Sequence, residues 1–257
     1  VWVRRSKNVR IDGIVVSQLP IGQCDSVELT NVKSISYYGW GDGMDVFSSS
    51  NVILDGVFCR NSDDCAAVYA STQGFKGGSN NVLVKNATLW ADVAHPINIG
   101  GHGDPNGMDT VQNVTFRNID ILDQAENQID YQGCLAINPG DNTLVRNITF
   151  ENIRIEDFRN GQLVNFRISF NPKYCVSTGR GIQNVLVKDV TYNGSGENLS
   201  IIAGYDENHK IFGIRFVNLV VNGRKITDDM PGKPKWYKTG DMAGIFVGEH
   251  VENLSFE

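Results

Sequence analysis

Three aspartates in the first quarter of the chain have a spacing that suits acid–base chemistry. Asp42 follows Gly39-Trp40-Gly41, and Asp63 and Asp64 form an adjacent pair that begins 21 residues later. If one coil of a stacked chain separates them, the carboxylates lie about 4.8 Å apart. At that distance two like charges repel by roughly 3.5 kcal/mol at an effective dielectric near 20, which shifts a pKa by about 2 units. One carboxyl then keeps its proton beside ionised partners, which is what hydrolysis of a glycosidic bond requires.

The same aspartates, together with Asp45, have two simpler interpretations. Aspartate is common in turns, and a group of carboxylates also suits a calcium ion. The spacing of Asp42 from the Asp63-Asp64 pair by about one coil favours a functional site over isolated turn residues.

A repeat along the chain indicates how these residues are positioned. An Asn, an aliphatic residue, a variable residue and a second apolar residue recur, as in Asn51-Val52-Ile53-Leu54 and Asn147-Ile148-Thr149-Phe150. The aliphatic positions are Val9, Val27, Val52, Val82, Val114, Ile148, Val185, Ile214 and Leu254. Within each copy apolar and other residues alternate with period two, as in a β-strand. Turns rich in Asn, Gly and Asp separate the copies, and no amphipathic helix is indicated between them.

These features predict an all-β chain that folds as a right-handed parallel β-helix in one domain over residues 1–257. The repeated Asn side chains are expected to form a ladder from coil to coil. An antiparallel sandwich is the alternative, and it is disfavoured because most steps are 25 residues or longer and the Asn recurs in phase. Both ends of the sequence fall inside the repeat, so further coils are expected beyond each end.

The composition excludes several classes of protein. The 257 residues are 41% hydrophobic and 20% charged, with a net charge of −6, and no run of 18 apolar residues occurs. We therefore expect a folded chain that binds neither nucleic acid nor membrane, and that acts as a monomer. The five cysteines lack zinc-site spacing, and their odd number excludes complete pairing within the chain. Neither a metal nor an organic cofactor is expected.

The order of motifs resembles that of glycoside hydrolase family 28, the polygalacturonases. Asp-Gly-Met-Asp at 42–45, Asp-Asp-Cys at 63–65 and a His before Ile-Asn-Ile-Gly at 97–100 carry the resemblance, which covers about Ser6 to Asp157. The related dextranase and isopullulanase family shares these features. The resemblance implies a pectin-lyase-like solenoid, with Asp63 as the general acid and with Asp42 and Asp64 activating water. It also implies inversion at the anomeric carbon without a covalent intermediate.

Two histidines compete for the family's Gly-His-Gly motif. His102 lies in a literal Gly101-His102-Gly103, but this segment follows the strand at 97–99, whereas the family motif precedes such a strand. His95 matches by position, and we expect it to orient or tune the acid by hydrogen bonding. If His95 lies far from Asp63, it is instead a capping residue at a turn.

The family's Arg-Ile-Lys motif, which pairs with the galacturonate carboxylate, falls on Ala136-Ile137-Asn138 and carries no cation here. A carboxylate without a cationic partner loses bonds of roughly 1.5–3 kcal/mol each. This loss and the negative net charge argue for a neutral or differently decorated glycan, with Asn138 among the residues that contact it. Arg167 either restores a cation from the next coil or is a solvated residue of that coil.

Trp40 and Tyr131 are the aromatic residues best placed to stack against sugar rings, although β-helices also stack aromatics in the core. Six Asn-X-Ser/Thr sequons, three of them within the repeat, are weak support for secretion to an extracellular or periplasmic location. Together, the sequence predicts an inverting, polygalacturonase-like glycoside hydrolase acting on an extracellular polysaccharide or oligosaccharide and not specific for galacturonate. The alternatives are a polysaccharide lyase and a non-catalytic glycan-binding solenoid.

Overall fold

A computed structural model describes residues 1–196 and 198–257, in which the chain forms 22 β-strands and two short 3-10 helices. The strands are β1 Val3–Arg4, β2 Lys7–Asp12, β3 Val15–Val16, β4 Ile21–Gly22, β5 Asp25–Thr30, β6 Lys33–Ile35, β7 Met44–Phe47, β8 Ser50–Asp55, β9 Phe58–Asn61, β10 Ala66–Tyr69, β11 Ser79–Ala91, β12 Ile97–Ile99, β13 Thr110–Asp123, β14 Leu135–Ile137, β15 Leu144–Ile155, β16 Val164–Arg167, β17 Gly181–Tyr192, β18 Ser200–Ala203, β19 Ile211–Val221, β20 Arg224–Ile226, β21 Ile245–Val247 and β22 Val251–Phe256. The 3-10 helices are Ile129–Tyr131 and Thr239–Ala243. No helix in these ranges is long and apolar enough to cross a membrane.

The strands form two parallel sheets in which neighbours come from successive coils. The first sheet has the order β1-β4-β7-β10-β12-β14-β16-β18-β21, and the second runs β2-β5-β8-β11-β13-β15-β17-β19. β20 pairs with β19 and is the one antiparallel strand in the part of the chain described above. A chain that returns to the same sheet once in each coil, always in the same direction, forms a parallel β-helix, and the antiparallel sandwich is excluded.

The aliphatic residues of the sequence repeat stack directly on one another. Val52 pairs with Val82, Val82 with Val114, and Val114 with Ile148 in adjacent strands, and the same register continues through the other predicted positions. These side chains are buried in the interior of the helix from Val27 to Ile214. The repeat therefore predicted the register of the second sheet correctly.

The repeated Asn residues bend the strands at single residues. Asn147 has a φ of 56°, in the left-handed region that Asn tolerates better than most residues. Its side chain is exposed at a corner of β15 while the flanking strand residues alternate between core and surface. The Asn147 Nδ2 donates to Asn113 Oδ1 at 3.1 Å, and Asn184 Nδ2 donates to Asn147 Oδ1 at 3.2 Å. The predicted ladder is confirmed.

A second ladder, not predicted, follows the next corner of the same strands. Asn118 has a φ of 54°. Its Nδ2 donates to Asn86 Oδ1 at 2.7 Å, and Asn152 Nδ2 donates to Asn118 Oδ1 at 3.3 Å. Arg154 also donates to Asn118 Oδ1, at 3.2 Å. The coils of β13 and β15 are thus held at two corners by side-chain amides as well as by their strands.

Period-two alternation in the first sheet fixes which residues face outward. Met44 and Val46 of β7 lie in the core, so Asp45 between them points away from it, and Asn98 does the same between Ile97 and Ile99. The outward face of this sheet therefore carries buried polar residues at alternate coils, Asp45, Asn98 and Asn165, with Ala67 and Ala136 between them. It is the face on which the acidic residues collect.

Candidate active site

The turns that precede β7, β10 and β12 lie directly above one another. The Gly43 N–H donates to the Asp64 carbonyl at 2.7 Å, and the Cys65 N–H donates to the His95 carbonyl at 2.8 Å. A Cβ added to Gly43 would lie 2.2 Å from the Cys65 carbonyl oxygen, so this close approach of the coils requires glycine. The stacked turns bring side chains from distant parts of the sequence to one place.

Asp42, Asp63 and Asp64 form a compact cluster at this place. One oxygen of each carboxylate lies within 4.8 Å of one from each of the others. They line a cleft of about 410 Å³. Asp42 and Asp63 are partly exposed to it, whereas Asp64 is 1% exposed and forms its floor. The spacing inferred from the sequence thus brings all three carboxylates together.

Asp64 accepts an unusually large number of hydrogen bonds. Its Oδ1 accepts from the His95 N–H at 3.0 Å and lies 2.7 Å from His95 Nδ1. Its Oδ2 accepts from the Tyr69 hydroxyl at 2.6 Å, from Asn98 Nδ2 at 2.7 Å and from the Tyr131 hydroxyl at 3.3 Å. Hydrogen bonds to a carboxylate favour its ionised form. Burial alone would raise the pKa of Asp64, but the His95 ring and these donors outweigh it and lower the pKa to about 2.

The other two carboxyls of the cluster are shifted in the opposite direction. Burial, with repulsion from Asp64 and Asp63, raises the pKa of Asp42 to about 8. Burial and the charge of Asp64 raise the pKa of Asp63 to about 6. Because Asp42 and Asp63 interact, they titrate as a pair that shares protons above pH 6. The cluster therefore combines one firmly ionised carboxylate with two carboxyls that hold protons at mildly acidic pH.

Asp45 lies under the same cleft and is almost completely buried. Its Oδ1 has no hydrogen-bond partner among the described residues. Burial, followed by repulsion from Asp42 and Asp64, raises its pKa well above the usual value. Burial therefore favours the neutral form of this carboxyl, which borders the cluster.

The two candidate histidines lie on different sides of the cluster. His95 is fully buried and hydrogen-bonds Asp64, not Asp63, although the nearby His95 ring also opposes the rise in the pKa of Asp63. His102 lines the cleft, and its ring packs edge-on against Tyr69 at 5.0 Å. Burial lowers the pKa of His102 below its usual value. Of the two, His95 is the one that contacts the carboxylate cluster.

Aromatic side chains border the cleft at both ends. Trp40 is 76% exposed at one rim, beside the Tyr37–Tyr38 pair whose ring centres are 4.6 Å apart. At the other end Tyr131 stacks on Tyr174, with ring centres 4.8 Å apart. Trp40 and Tyr131, which the sequence suggested as contacts for sugar rings, thus border the cleft. Tyr37 and Tyr38 lie near Trp40 in the chain, and Tyr174 stacks on Tyr131.

Asn138 and Arg167 lie outside this cleft. Asn138 Nδ2 donates to Asn165 Oδ1 at 3.1 Å, and the residue borders a smaller neighbouring cavity of about 30 Å³. Arg167 donates from Nη2 to the Asp130 carbonyl at 2.6 Å, and burial lowers its pKa. The guanidinium is thus engaged with backbone and is not a fully solvated residue.

The sequence interpretation missed several residues of the site. The outward position of Asn98 follows from period two in Ile97-Asn98-Ile99, and that signal was present. Lys173 lines the cleft from the loop after β16, and Glu126 and Gln128 line it from the loop before β14. Loop positions such as these follow no period, so the sequence gives no signal for them. Lys173 therefore supplies the cleft with a cation, although the Ala136-Ile137-Asn138 strand lacks one.

The carboxylate cluster is also the one acidic group in the described ranges compact enough to hold a metal ion. Asp42 and Asp63, with pKa values of about 8 and about 6, hold protons at mildly acidic pH that a cation would have to displace. The donor set therefore suits protons better than a cation.

The chain was compared with known families and structures. The sequence profile of the glycosyl hydrolases family 28 matches residues 3–230, further than the motifs indicated. A probable endo-xylogalacturonan hydrolase A of Neosartorya fischeri is 29% identical over 168 residues, which is 63% of this chain and 38% of that protein. An exopolygalacturonase of Cochliobolus carbonum is 34% identical over 86 residues, 33% of this chain and 17% of that protein. The chain thus spans less than two thirds of the length of these relatives.

Among solved structures, the endo-xylogalacturonan hydrolase from Aspergillus tubingensis superposes with a TM-score of 0.53 and 18% identity. The superposition covers 86% of this chain and 60% of that one. It confirms the predicted fold, a right-handed parallel β-helix. With the family profile matching most of the sequence, the chain belongs to the glycosyl hydrolases family 28.

Proposed function

We propose that this protein hydrolyses O-glycosidic bonds of a pectin-like polysaccharide outside the cell. The observation that carries the proposal is the cluster of Asp42, Asp63 and Asp64, whose pKa values are split between about 2 and about 8. A protonated carboxyl and an ionised carboxylate in one cleft supply the acid and the base that glycoside hydrolysis needs. The names of the relatives, which are hydrolases of galacturonan-type polymers, support the substrate class.

In the proposed mechanism Asp63 donates its proton to the leaving oxygen, and Asp64 is the base that activates the attacking water. Asp42, whose pKa of about 8 keeps it protonated at mildly acidic pH, holds this water by a hydrogen bond. Asp63 is partly exposed and has a pKa of about 6, so it carries a proton at mildly acidic pH. Asp64 stays ionised at the same pH because its donors stabilise the charge. His95 is a positioning residue, since it is buried and acts on the cluster through Asp64.

The proposed inversion has a direct test in the product. Inverting enzymes usually separate the acid and base carboxyls by roughly 6.5–9.5 Å, and this cluster is tighter. The family resemblance therefore supports inversion, while the separation alone does not. NMR of the first product distinguishes the two stereochemical courses: the opposite anomer supports the mechanism and a retained anomer overturns it.

Trp40 and Tyr131 are proposed to stack against sugar rings on either side of the carboxylates. Trp40 presents an exposed face at the rim, and Tyr131 is held against Tyr174. Aromatic faces bind the apolar faces of sugars whatever their charge. The substrate therefore need not carry free galacturonate at every position.

The structure offers no observation that favours a polysaccharide lyase. A lysine acting as the base of a lyase needs a lowered pKa. Lys173, in the cleft, has instead a raised pKa because of the neighbouring Tyr174 and the nearby Glu126 and Asp63 carboxylates.

The experiment that tests the proposed function is reducing-sugar release from a panel of neutral and acidic polysaccharides by the full protein and its Asp63→Asn variant. Loss of a general acid costs roughly 10²–10⁴ in rate, so release should almost disappear while the fold is retained. A product absorbing as an unsaturated sugar would indicate a lyase. Release unaffected by the substitution, or no release by either protein, would contradict the proposal.

A further inference from the structure

Lys173 is a cation in a cleft that is otherwise rich in carboxyl groups. It is exposed, and its Nζ donates to Gln128 Oε1 at 2.8 Å. The ammonium also lies 4.8 Å from the centre of the Tyr174 ring, within the range of a cation–π contact. Among the residues described, no carboxylate lies within 4.0 Å of this ammonium. The charge is therefore held in place without being neutralised.

The support of Lys173 extends down into the protein. The Gln128 N–H donates to Glu126 Oε1 at 2.7 Å, and the Gln128 side chain reaches the Tyr174 hydroxyl at 3.5 Å. Glu126 is nearly buried, and Tyr174 is stacked on Tyr131. Side chains from two loops, one before β14 and one after β16, thus hold the ammonium group. It lies at the end of the cleft opposite Trp40.

An ammonium group has three N–H donors, of which Gln128 accepts one, and the Tyr174 hydroxyl is close enough to raise the pKa of Lys173 by hydrogen bonding. At least one donor remains for a ligand in the cleft. The aromatic stack of Tyr131 and Tyr174 beside it offers a surface for a sugar ring. A sugar that stacks there and carries an anionic substituent would place its charge near Lys173. On a sugar of a pectin-like polymer, that substituent is a carboxylate.

We propose that Lys173 binds the carboxylate of a uronic acid residue next to the scissile bond. Lys173 lies in the loop after β16, 35 residues beyond Asn138. It supplies the cation that the family carries on the strand at 136–138 and that this chain lacks there. This inference rests on the proposed function for the identity of the substrate. It favours a charged glycan over the neutral or differently decorated one expected from the sequence, since that expectation rested on the strand at 136–138 and on the net charge and not on this loop.

The test measures binding and not turnover, so it is independent of catalysis. Binding of an oligogalacturonate and of its methyl ester is measured by calorimetry in an Asp63→Asn background. Lys173→Gln keeps a polar chain without the charge, and Lys173→Arg keeps the charge. Lys33→Gln, on β6 of the second sheet, removes an equal charge from an exposed residue that does not line the cleft.

Lys173 is exposed and its charge is screened by solvent, so Lys173→Gln should weaken binding of the acidic oligomer about two- to fivefold. Binding of the methyl ester should change little, Lys173→Arg should retain most of the affinity, and Lys33→Gln should have no effect. Three results would overturn the inference. They are equal weakening of acid and ester binding by Lys173→Gln, no weakening of either, and failure of the protein that retains Lys173 to bind the acidic oligomer. If binding discriminates by charge but the protein with Asp63 hydrolyses none of the glycans, the proposed function fails and the binding site stands.

Discussion

Replacing Tyr69 with phenylalanine tests whether Asp64 is held ionised by its hydrogen-bond donors. The Tyr69 hydroxyl donates to Asp64 Oδ2 at 2.6 Å, the shortest of the contacts to this carboxylate. A hydrogen bond to a charged group contributes roughly 1.5–3 kcal/mol, and one pKa unit corresponds to about 1.4 kcal/mol. The pKa of Asp64 should therefore rise by about 1–2 units from its value of about 2.

The assay is the pH dependence of kcat on the best substrate. Activity requires Asp64 ionised and Asp63 protonated, so it should rise as the pH increases past the pKa of Asp64 and fall as the pH increases past about 6. Tyr69→Phe should move the acidic limb to higher pH by about 1–2 units and leave the alkaline limb in place. Tyr192→Phe is the matched control, because this buried hydroxyl accepts from the Gly196 N–H away from the cleft. A shift of the alkaline limb, or an unchanged acidic limb, would refute the assignment.

Two further predictions concern stability. Asp42 has a folded-state pKa of about 8, far above its unfolded value, so the folded state loses stability as the pH rises from about 4 through about 8. Asp42→Asn should therefore unfold at a higher temperature than the parent at pH 9 and show a flatter pH dependence between pH 5 and pH 9; parallel curves would contradict this. Asn118→Ala should lower the free energy of unfolding in urea by about 2–3 kcal/mol, because it loses ladder bonds and strains a left-handed residue. Asn118→Gly also loses the ladder bonds but adopts the left-handed conformation without strain, so it should lower the free energy of unfolding by less than Asn118→Ala does. An equal loss for the two variants would show that strain does not contribute.

The parts of the structure that repeat were predictable from the sequence. The aliphatic residues from Val27 to Ile214 occur in a common phase, and the same phase places their side chains in contact between coils. The cluster of Asp42 with Asp63 and Asp64 followed from the same reasoning, since one coil of chain separates them. Recurrent Asn residues indicated the first ladder because a left-handed corner favours that side chain.

The features that depend on loops were not predictable. Lys173 reaches the cleft because Gln128 and Tyr174 support it, and these residues meet only when loops from two different coils pack together. The partner of His95 was also uncertain, because Asp63 and Asp64 are adjacent in a turn and alternation no longer fixes their directions. Packing between neighbouring loops decides both outcomes.

The one-dimensional arrangement of the coils has a consequence for how the site is lost. Each coil contacts the coils beside it, so stability is transmitted between neighbours and unfolding advances from an end. In the first sheet β7 and β10 are the third and fourth of nine strands, and β16 is the seventh. A front of unfolding that passes along the sheet from β21 reaches the loop of Lys173 before it reaches the aspartates, and a front that passes from β1 reaches the aspartates first. The direction from which unfolding arrives therefore decides which of the two groups loses its support first.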